Sequence, residues 1–431
     1  MATHGRGRPL SAGRARAYLL AAALAALAAV TASAAAARPL ADSAVLFIGD
    51  GTGVAQLELA RQAAQGEPLA VDRMPYSGLV VTLSLGGRVT DSAAGATALA
   101  TGQKTENGII AMTPDGRRLE TILERCLKAR KSVGIITTDA LYGATPASFG
   151  SHANSRGESL EIALQMAHSG AQILMGFGKG AFVPKSAGGE RTDGKDLIAF
   201  MRKAGYKMVF DRQQLLAEKG LKVAGLFEGD EEPTVAEMVE FALPRLAANR
   251  RGFFLIVEEA RVDWESHGHD AAGAIVRVRM LDEAVAAAVD FARKEGRMLV
   301  LVTADHETGG LATSGGRGAA LAGVTMSASE MARRLNADRT NIGATLAEGA
   351  GVRDLTEQEL ETIRKAKEAD AGIRQVLDQR AGVTWSTTGH TGAPVMVFAF
   401  GPGAERFTGE LDNTDIPKRT AAILGVAPLG K

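Results

Sequence analysis

The sequence predicts an α/β fold: a large, mostly parallel central sheet with helices on both faces, carrying a mainly helical insertion. Strand-like apolar runs alternate with stretches of helical periodicity along most of the 431 residues, as in sheets built from crossover units. Runs such as Ala-Val-Leu-Phe-Ile-Gly at 44–49 are continuously apolar, as strands covered on both faces are. Several runs end on acidic or imidazole side chains. In open parallel sheets, ligands gather at the carboxyl ends of the strands.

Residues 1–37 stand apart. Arg6, Arg8, Arg14 and Arg16 precede an apolar run at 17–30, and small residues at 32–37 lead to Arg38-Pro39. That is the plan of a secretory signal peptide, cleaved near Ala37. An uncleaved anchor is the alternative, for which the run is short. No twin-arginine pair is present, so general export to the periplasm or the exterior is expected.

Residues 38–431 read as one domain with 311–386 inserted over its core. Lysine plus arginine and aspartate plus glutamate both number 49, so the formal charge is zero. Such a chain has no general field for nucleic acid or an anionic membrane, and any anion must be held by local geometry. The one cysteine, Cys126, rules out an intrachain disulfide. An exported chain of this kind depends on its core and on bound metals. Cys126 itself, within the helical stretch 119–130, reads as a packing residue.

Taken in order, strands are expected at 44–49, 78–85, 132–138, 172–175, 252–258, 297–303 and 394–400. Helices are expected at 54–64, 158–167, 195–204, 235–248, 271–294 and 416–424. The insertion begins Gly-rich and becomes helical and charged at 326–346 and 356–380.

Two features carry chemistry. Thr90-Asp91-Ser92-Ala93-Ala94-Gly95-Ala96-Thr97 opens a small-residue helix that starts at Ser92 and closes at Gly102. A serine in the first turn sits among unpaired N–H groups at the positive end of the helix dipole, where an anion such as phosphate is held. The alternative is an N-cap serine on an Ala-rich core helix. The second feature is the set of strand ends. Asp50 follows the first strand, Asp305 and His306 follow 297–303, and Glu258 ends 252–258, with Asp263 and His267 soon after. His390 precedes the strand at 394–400. Mixed imidazole and carboxylate sets suit zinc, and oxygen-only sets suit magnesium. Their recurrence at the ends of different strands favours a polynuclear metal site over unrelated caps and surface charges.

With these residues in hand, the chain resembles the alkaline phosphatases over essentially its whole length beyond residue 37. Val89-Thr-Asp-Ser-Ala-Ala-Gly-Ala-Thr97 is similar to that family's nucleophile signature. Phe47-Ile-Gly-Asp-Gly51, Ala144-Thr-Pro-Ala147, Val257-Glu258, Thr303-Ala-Asp-His-Glu307 and Gly389-His-Thr-Gly392 recur in the family's order. The resemblance implies hydrolysis of phosphate monoesters to inorganic phosphate through a phosphoserine at Ser92, two zinc ions, one magnesium ion and a homodimer. It assigns Asp263, His267 and His390 to one zinc, and Asp50, Asp305 and His306 to a second beside Ser92. Asp50, Thr145 and Glu258 would hold magnesium, with Asp50 bridging the last two sites. Arg156, in His152-Ala-Asn-Ser-Arg156, would grip phosphate through its planar fork, oriented by Asp91.

Three positions depart from the family pattern. Gly143 stands where many relatives have histidine or an acidic residue, Trp264 where some have lysine or histidine, and Glu259 where they have glycine. The first two flank ligands, which puts magnesium affinity and pH optimum in question. A phosphodiesterase on the same metal core and a phosphate-binding protein without catalysis are the other readings. A sulfatase is disfavoured, because Cys126-Leu-Lys-Ala-Arg130 lacks the proline of the sulfatase signature.

Overall fold

The computed structural model describes residues 39–229 and 232–430; the expected signal peptide, 1–37, lies outside the described residues. Every element below lies within Leu40–Lys431.

The strands are β1 (Ser43–Gly49), β2 (Tyr76–Val81), β3 (Ser132–Ala140), β4 (Ile173–Phe177), β5 (Lys207–Val209), β6 (Val223–Leu226), β7 (Phe253–Glu259), β8 (Met298–Thr303), β9 (Glu307–Thr308), β10 (Leu311–Thr313), β11 (Val383–Trp385), β12 (His390–Thr391), β13 (Val395–Phe400) and β14 (Gly409–Asp412). Ten of them form one sheet in the order β14-β2-β13-β8-β1-β7-β3-β4-β6-β5. Only β13 runs against the rest, antiparallel to both β2 and β8.

Burial explains the unbroken apolar runs. In β1 every residue is buried, and successive side chains point to opposite faces of a strand. Leu46 and Ile48 enter one core with Phe254, Ile256, Leu299 and Leu301. Val45 and Phe47 enter the other with Leu255, Val257 and Val300. Helices Ser92–Thr101, Ile122–Lys128, Ala144–Gly150, Ser159–His168 and Asp415–Leu424 cover the first face. Helices Val54–Ala63, Val235–Ala247 and Ala271–Glu295 cover the second. Among the described residues no helix is long and apolar enough to cross a membrane.

Several boundaries differ from expectation for local reasons. The run at 78–85 forms a strand only as Tyr76–Val81, because the chain then turns through Gly86 and Gly87, both at positive φ. The helical stretch 326–346 is two helices, Ala328–Arg333 and Ile342–Gly349, separated by a turn in which Arg339 has φ 54. The stretch 356–380 is also two, Glu357–Lys365 and Ala369–Ala381. They fold back so closely that a Cβ on Gly372 would stand 2.8 Å from the Ile363 Cα. Strands β5 and β6 escape periodicity because they are three and four residues long. A third core gathers around Leu321, Met331, Leu346, Ile373 and Leu377. That core rests on Leu59 and Ala63 of one crossover helix and Ile275 of another.

Helix Ile122–Lys128 starts at Thr121, whose hydroxyl accepts from the Glu124 N–H while Glu124 accepts from the Thr121 N–H, a reciprocal cap. Cys126 on this helix is fully buried, and burial pushes its thiol up to about 12. A disulfide-exchange reagent at pH 8 is therefore expected to leave the folded protein unlabelled and to titrate one thiol in denaturant. Rapid labelling of the native chain would contradict the packing role.

Candidate active site

The central strands bring together residues that are far apart in sequence. In the sheet, β1 lies between β8 and β7, pairing Ile48 with Thr303 and Gly49 with Glu259. β3 lies on the far side of β7, with Thr137 beside Glu258. Asp50, Glu258 and Asp305 thus converge at adjacent carboxyl ends. His390 precedes its strand for a reason of direction: β13 is antiparallel, so its amino end lies at the carboxyl ends of its neighbours. The short β9–β12 pair then sets His390 opposite Thr308. Asp263 and His267 sit four apart on helix Arg261–His267, a spacing that puts both side chains on one helical face.

Three ligand atoms form a tight triangle. His267 Nε2 is 3.3 Å and His390 Nε2 is 3.6 Å from Asp263 Oδ1, and the two nitrogens are 3.1 Å apart. Beside it, His306 Nε2 lies 3.5 Å from Asp50 Oδ1 and 3.3 Å from Asp305 Oδ2. The His306 and His390 rings stack at 3.6 Å.

Hydrogen bonds on the far side of each ring set its tautomer. His390 Nδ1 faces the Thr90 carbonyl at 2.9 Å, and His267 Nδ1 faces the Thr388 carbonyl. His306 Nδ1 is 3.3 Å from the Thr308 hydroxyl, which itself donates to Asp263 Oδ1. In each case Nδ1 is the nitrogen that donates, so Nε2 is the atom turned inward, the one a metal-binding imidazole offers once it has lost its proton.

The electrostatics fit cations. Asp50 Oδ1, Asp305 Oδ2 and the Thr145 hydroxyl oxygen are buried without a hydrogen-bond partner. Burial, then the charges of Asp305, Asp263 and Glu258, holds Asp50 well above the usual carboxylate range. Burial and Asp263 raise Asp305 to about 7; burial and Asp139 raise Glu258 to about 8. Burial lowers His306 to about 4. These groups resist ionising together, and a bound cation relieves that. Two mixed nitrogen and oxygen sets beside one oxygen-only set, Asp50, Thr145 and Glu258, match the donor chemistry of zinc and magnesium.

Ser92 is the first residue of helix Ser92–Thr101, and its hydroxyl lies 3.3 Å from His306 Nε2. The N-cap is not Ser92 but Asp91, whose Oδ1 accepts from the Ala94 N–H at 3.0 Å. The alternative role for the serine therefore fails, and its oxygen faces the histidine. Asp91 Oδ2 accepts from the Gly108 N–H and from Arg156 Nη1 at 3.2 Å, so one carboxylate fixes both the helix and the guanidinium. Two glycines allow the close packing. A Cβ on Gly95 would lie 3.1 Å from Asp305 Cβ and its carbonyl oxygen. A Cβ on Gly51, at φ +72, would lie 2.7 Å from the Asp263 Cα.

All eleven residues singled out in sequence are in or around this cluster: Ser92, Asp91 and Arg156 at its edge, Asp50, Thr145, Glu258, Asp263, His267, Asp305, His306 and His390 within it. Sequence reasoning gave no role to Glu307, although its motif contains it. Buried Glu307 accepts from Gln56, Gly310, Leu311 and Thr391, and so pins the strand that carries His390. Glu259 is also buried, accepting from the Thr138 hydroxyl and the Arg261 N–H, both at 3.0 Å. Trp264 points outward, 49% exposed.

Comparison with known proteins finds relatives of one family. The profile of the family described as "Alkaline phosphatase" matches residues 41–426. Alkaline phosphatase 3 of Bacillus subtilis is 32% identical, over 88% of both chains. The cold-active alkaline phosphatase of a psychrophilic Shewanella superposes with a TM-score of 0.80 at 30% identity, covering 89% of this chain and 99% of that one. A histidine-to-aspartate variant of the enzyme from the Antarctic bacterium TAB5, with Mg bound in its M3 site, superposes at 0.68 and 25% identity, covering 90% and 99%. The fold and site thus define a metal-dependent hydrolase of phosphate monoesters. The chain belongs to the alkaline phosphatase family.

The shifted groups give a pH dependence. Glu258 and Asp305 hold protons in the folded, metal-free chain up to about 8 and about 7, whereas an unfolded carboxylate releases them near ~4. Their burial therefore lowers stability as pH rises through that window. His267, raised to about 9 chiefly by its bond to Asp263, extends the same sign. His306, lowered from 6.5 to about 4, acts oppositely but only below 6.5. Chelated protein is expected to lose roughly several degrees of thermal midpoint between pH 6.5 and 9, and zinc plus magnesium to flatten the curve. A flat profile for the chelated protein would refute this electrostatic account.

Proposed function

We propose that this protein hydrolyses phosphate monoesters through a covalent phosphoserine at Ser92, with two zinc ions and one magnesium ion. The observation that carries this reading is the Ser92 hydroxyl at a helix start, facing His306 beside the orphaned oxygens of Asp50 and Asp305. Asp263, His267 and His390 would hold one zinc, Asp50, Asp305 and His306 the other, and Asp50, Thr145 and Glu258 the magnesium. When bound, the zinc pair supplies Lewis acidity that activates the nucleophile and neutralises the leaving oxygen.

The protein's own groups do the rest. Ser92 Oγ bonds to phosphorus as the bond from phosphorus to the ester oxygen breaks, and the serine's proton ends on the departing alcohol. The first-turn N–H groups and Arg156 take up charge on the equatorial oxygens. Asp91 holds the guanidinium through the bond at 3.2 Å, next to the residue that opens the nucleophile's helix. Water then cleaves the phosphoserine, returning the serine hydroxyl and releasing inorganic phosphate.

The expected outcome of acid-quench labelling with a phosphate ester is label on Ser92 alone and none in Ser92→Ala. Label on another residue would sink the assignment. Turnover of p-nitrophenyl phosphate is expected to vanish on chelation and to return only with zinc and magnesium together. Faster turnover of the bis-p-nitrophenyl diester would make the protein a phosphodiesterase on the same core, and phosphate binding without turnover would leave a binding protein.

We further propose that residues 38–431 act as one exported catalytic domain that pairs as a homodimer, on the strength of the signal-peptide pattern and the family. Sedimentation velocity on secreted protein should give about twice the chain mass, with an amino terminus near Arg38. A monomer, or an intact Met1, would refute one part or the other.

A further inference from the structure

Gly143 is the N-cap of helix Ala144–Gly150 and has φ −57, so nothing in its backbone requires glycine. The reason lies in the space beside it. A Cβ there would stand 2.3 Å from Asp139 Oδ2 and 2.9 Å from the Ala140 carbonyl oxygen. The volume that a side chain at 143 would enter is already filled by the carboxylate of Asp139.

That carboxylate is held from one side. Its Oδ1 accepts from the Ala140 N–H at 2.6 Å, leaving Oδ2 as the oxygen over Gly143. The Asp139 N–H donates to the Thr137 hydroxyl at 2.8 Å, and that hydroxyl donates to Glu258 Oε2. Asp139 and Glu258 thus hang on one threonine. Asp139 caps no helix, since the cap at 143 uses no side chain. Two unpartnered oxygens point independently to a missing electropositive partner here. Thr145 is 1% exposed and Asp50 6%, and neither Thr145 Oγ1 nor Asp50 Oδ1 makes a well-formed hydrogen bond, their neighbours being the carboxylates of Glu258 and Asp305 and the His306 ring.

We propose that Asp139 is an additional oxygen donor to the divalent cation held by Asp50, Thr145 and Glu258, standing in for the side chain that Gly143 lacks. The cation would be hard and oxygen-preferring, as magnesium is. The carboxylate would reach in from the end of β3, through the space beside Gly143 that no side chain at 143 occupies. The inference rests on the magnesium part of the proposed function.

The test uses the full chain, stripped with chelator and reloaded with zinc. Magnesium is then titrated by calorimetry, with bound metals counted by elemental analysis. Asp139→Asn keeps shape and removes charge. It is expected to weaken magnesium binding about tenfold or more, with zinc content unchanged and with a smaller magnesium-induced rise in thermal midpoint. Asp139→Glu, which keeps the charge, should bind magnesium more tightly than the asparagine variant and serves if that variant fails to fold. Magnesium affinity within twofold of wild type in both variants would overturn the proposal. Wild-type protein that takes up no magnesium after zinc loading would overturn it together with the magnesium assignment, while Ser92 labelling would still report separately on the nucleophile.

Discussion

Four carboxylates buried within one small volume set the terms for everything around them. Asp50, Glu258, Asp263 and Asp305 are each at most 7% exposed, and like charges in a poorly screened interior repel strongly. Removing charge by protonation is one relief, and cations are the other. The fold is arranged for cations: three imidazoles turn Nε2 inward, each locked by a bond on its outer nitrogen. The positive end of helix Ser92–Thr101 is aimed at the same region.

Holding such a cluster requires a rigid frame. Central strands buried on both faces supply it, because their registers leave little freedom for the residues that follow them. The nucleophile helix is buried along its whole length, with Ala93, Ala96 and Leu99 in the first core. Glycine at 95 lets it lie directly against Asp305. The loop bearing His390 has no long strand to anchor it. It depends instead on Glu307, and on His269, which reaches the Thr387 carbonyl and stacks on Trp385. Arg156 is more exposed than the other site residues, yet Asp91 ties it to the same helix cap that positions Ser92. Substrate phosphate would therefore meet one rigid side and one adaptable arm.

The departures from the family pattern fall into the same logic. Glu259 introduces a carboxylate next to Glu258, but its side chain is turned toward Thr138 and Arg261, where its bonds join β3 to helix Arg261–His267. Gly143 removes a side chain at the oxygen-only end of the cluster, and Asp139 occupies the space. Trp264 is directed outward beside Arg261, at 6.0 Å. The helices between 328 and 381 rest on crossover helices through a separate core, away from the strand ends.

The sequence by itself determined the sheet, because continuous apolar runs have few other ways to be buried. It also determined the chemistry-bearing residue types, because motif spacing survives without knowledge of contacts. Strand boundaries were less legible: Gly86 and Gly87 ended β2 early, and β5, β6, β9 and β12 are too short for any period to show. Which residues meet was decided only by the tertiary structure. Asp50, Glu258 and Asp305 became neighbours because β1 inserts between β7 and β8. His390 joined them because β13 runs backward. Asp91, and not Ser92, became the helix cap because its carboxylate reaches the Ala94 N–H. Asp139 carried no signal in sequence, since its relation to Gly143 is one of shared volume, which exists only once the chain has packed.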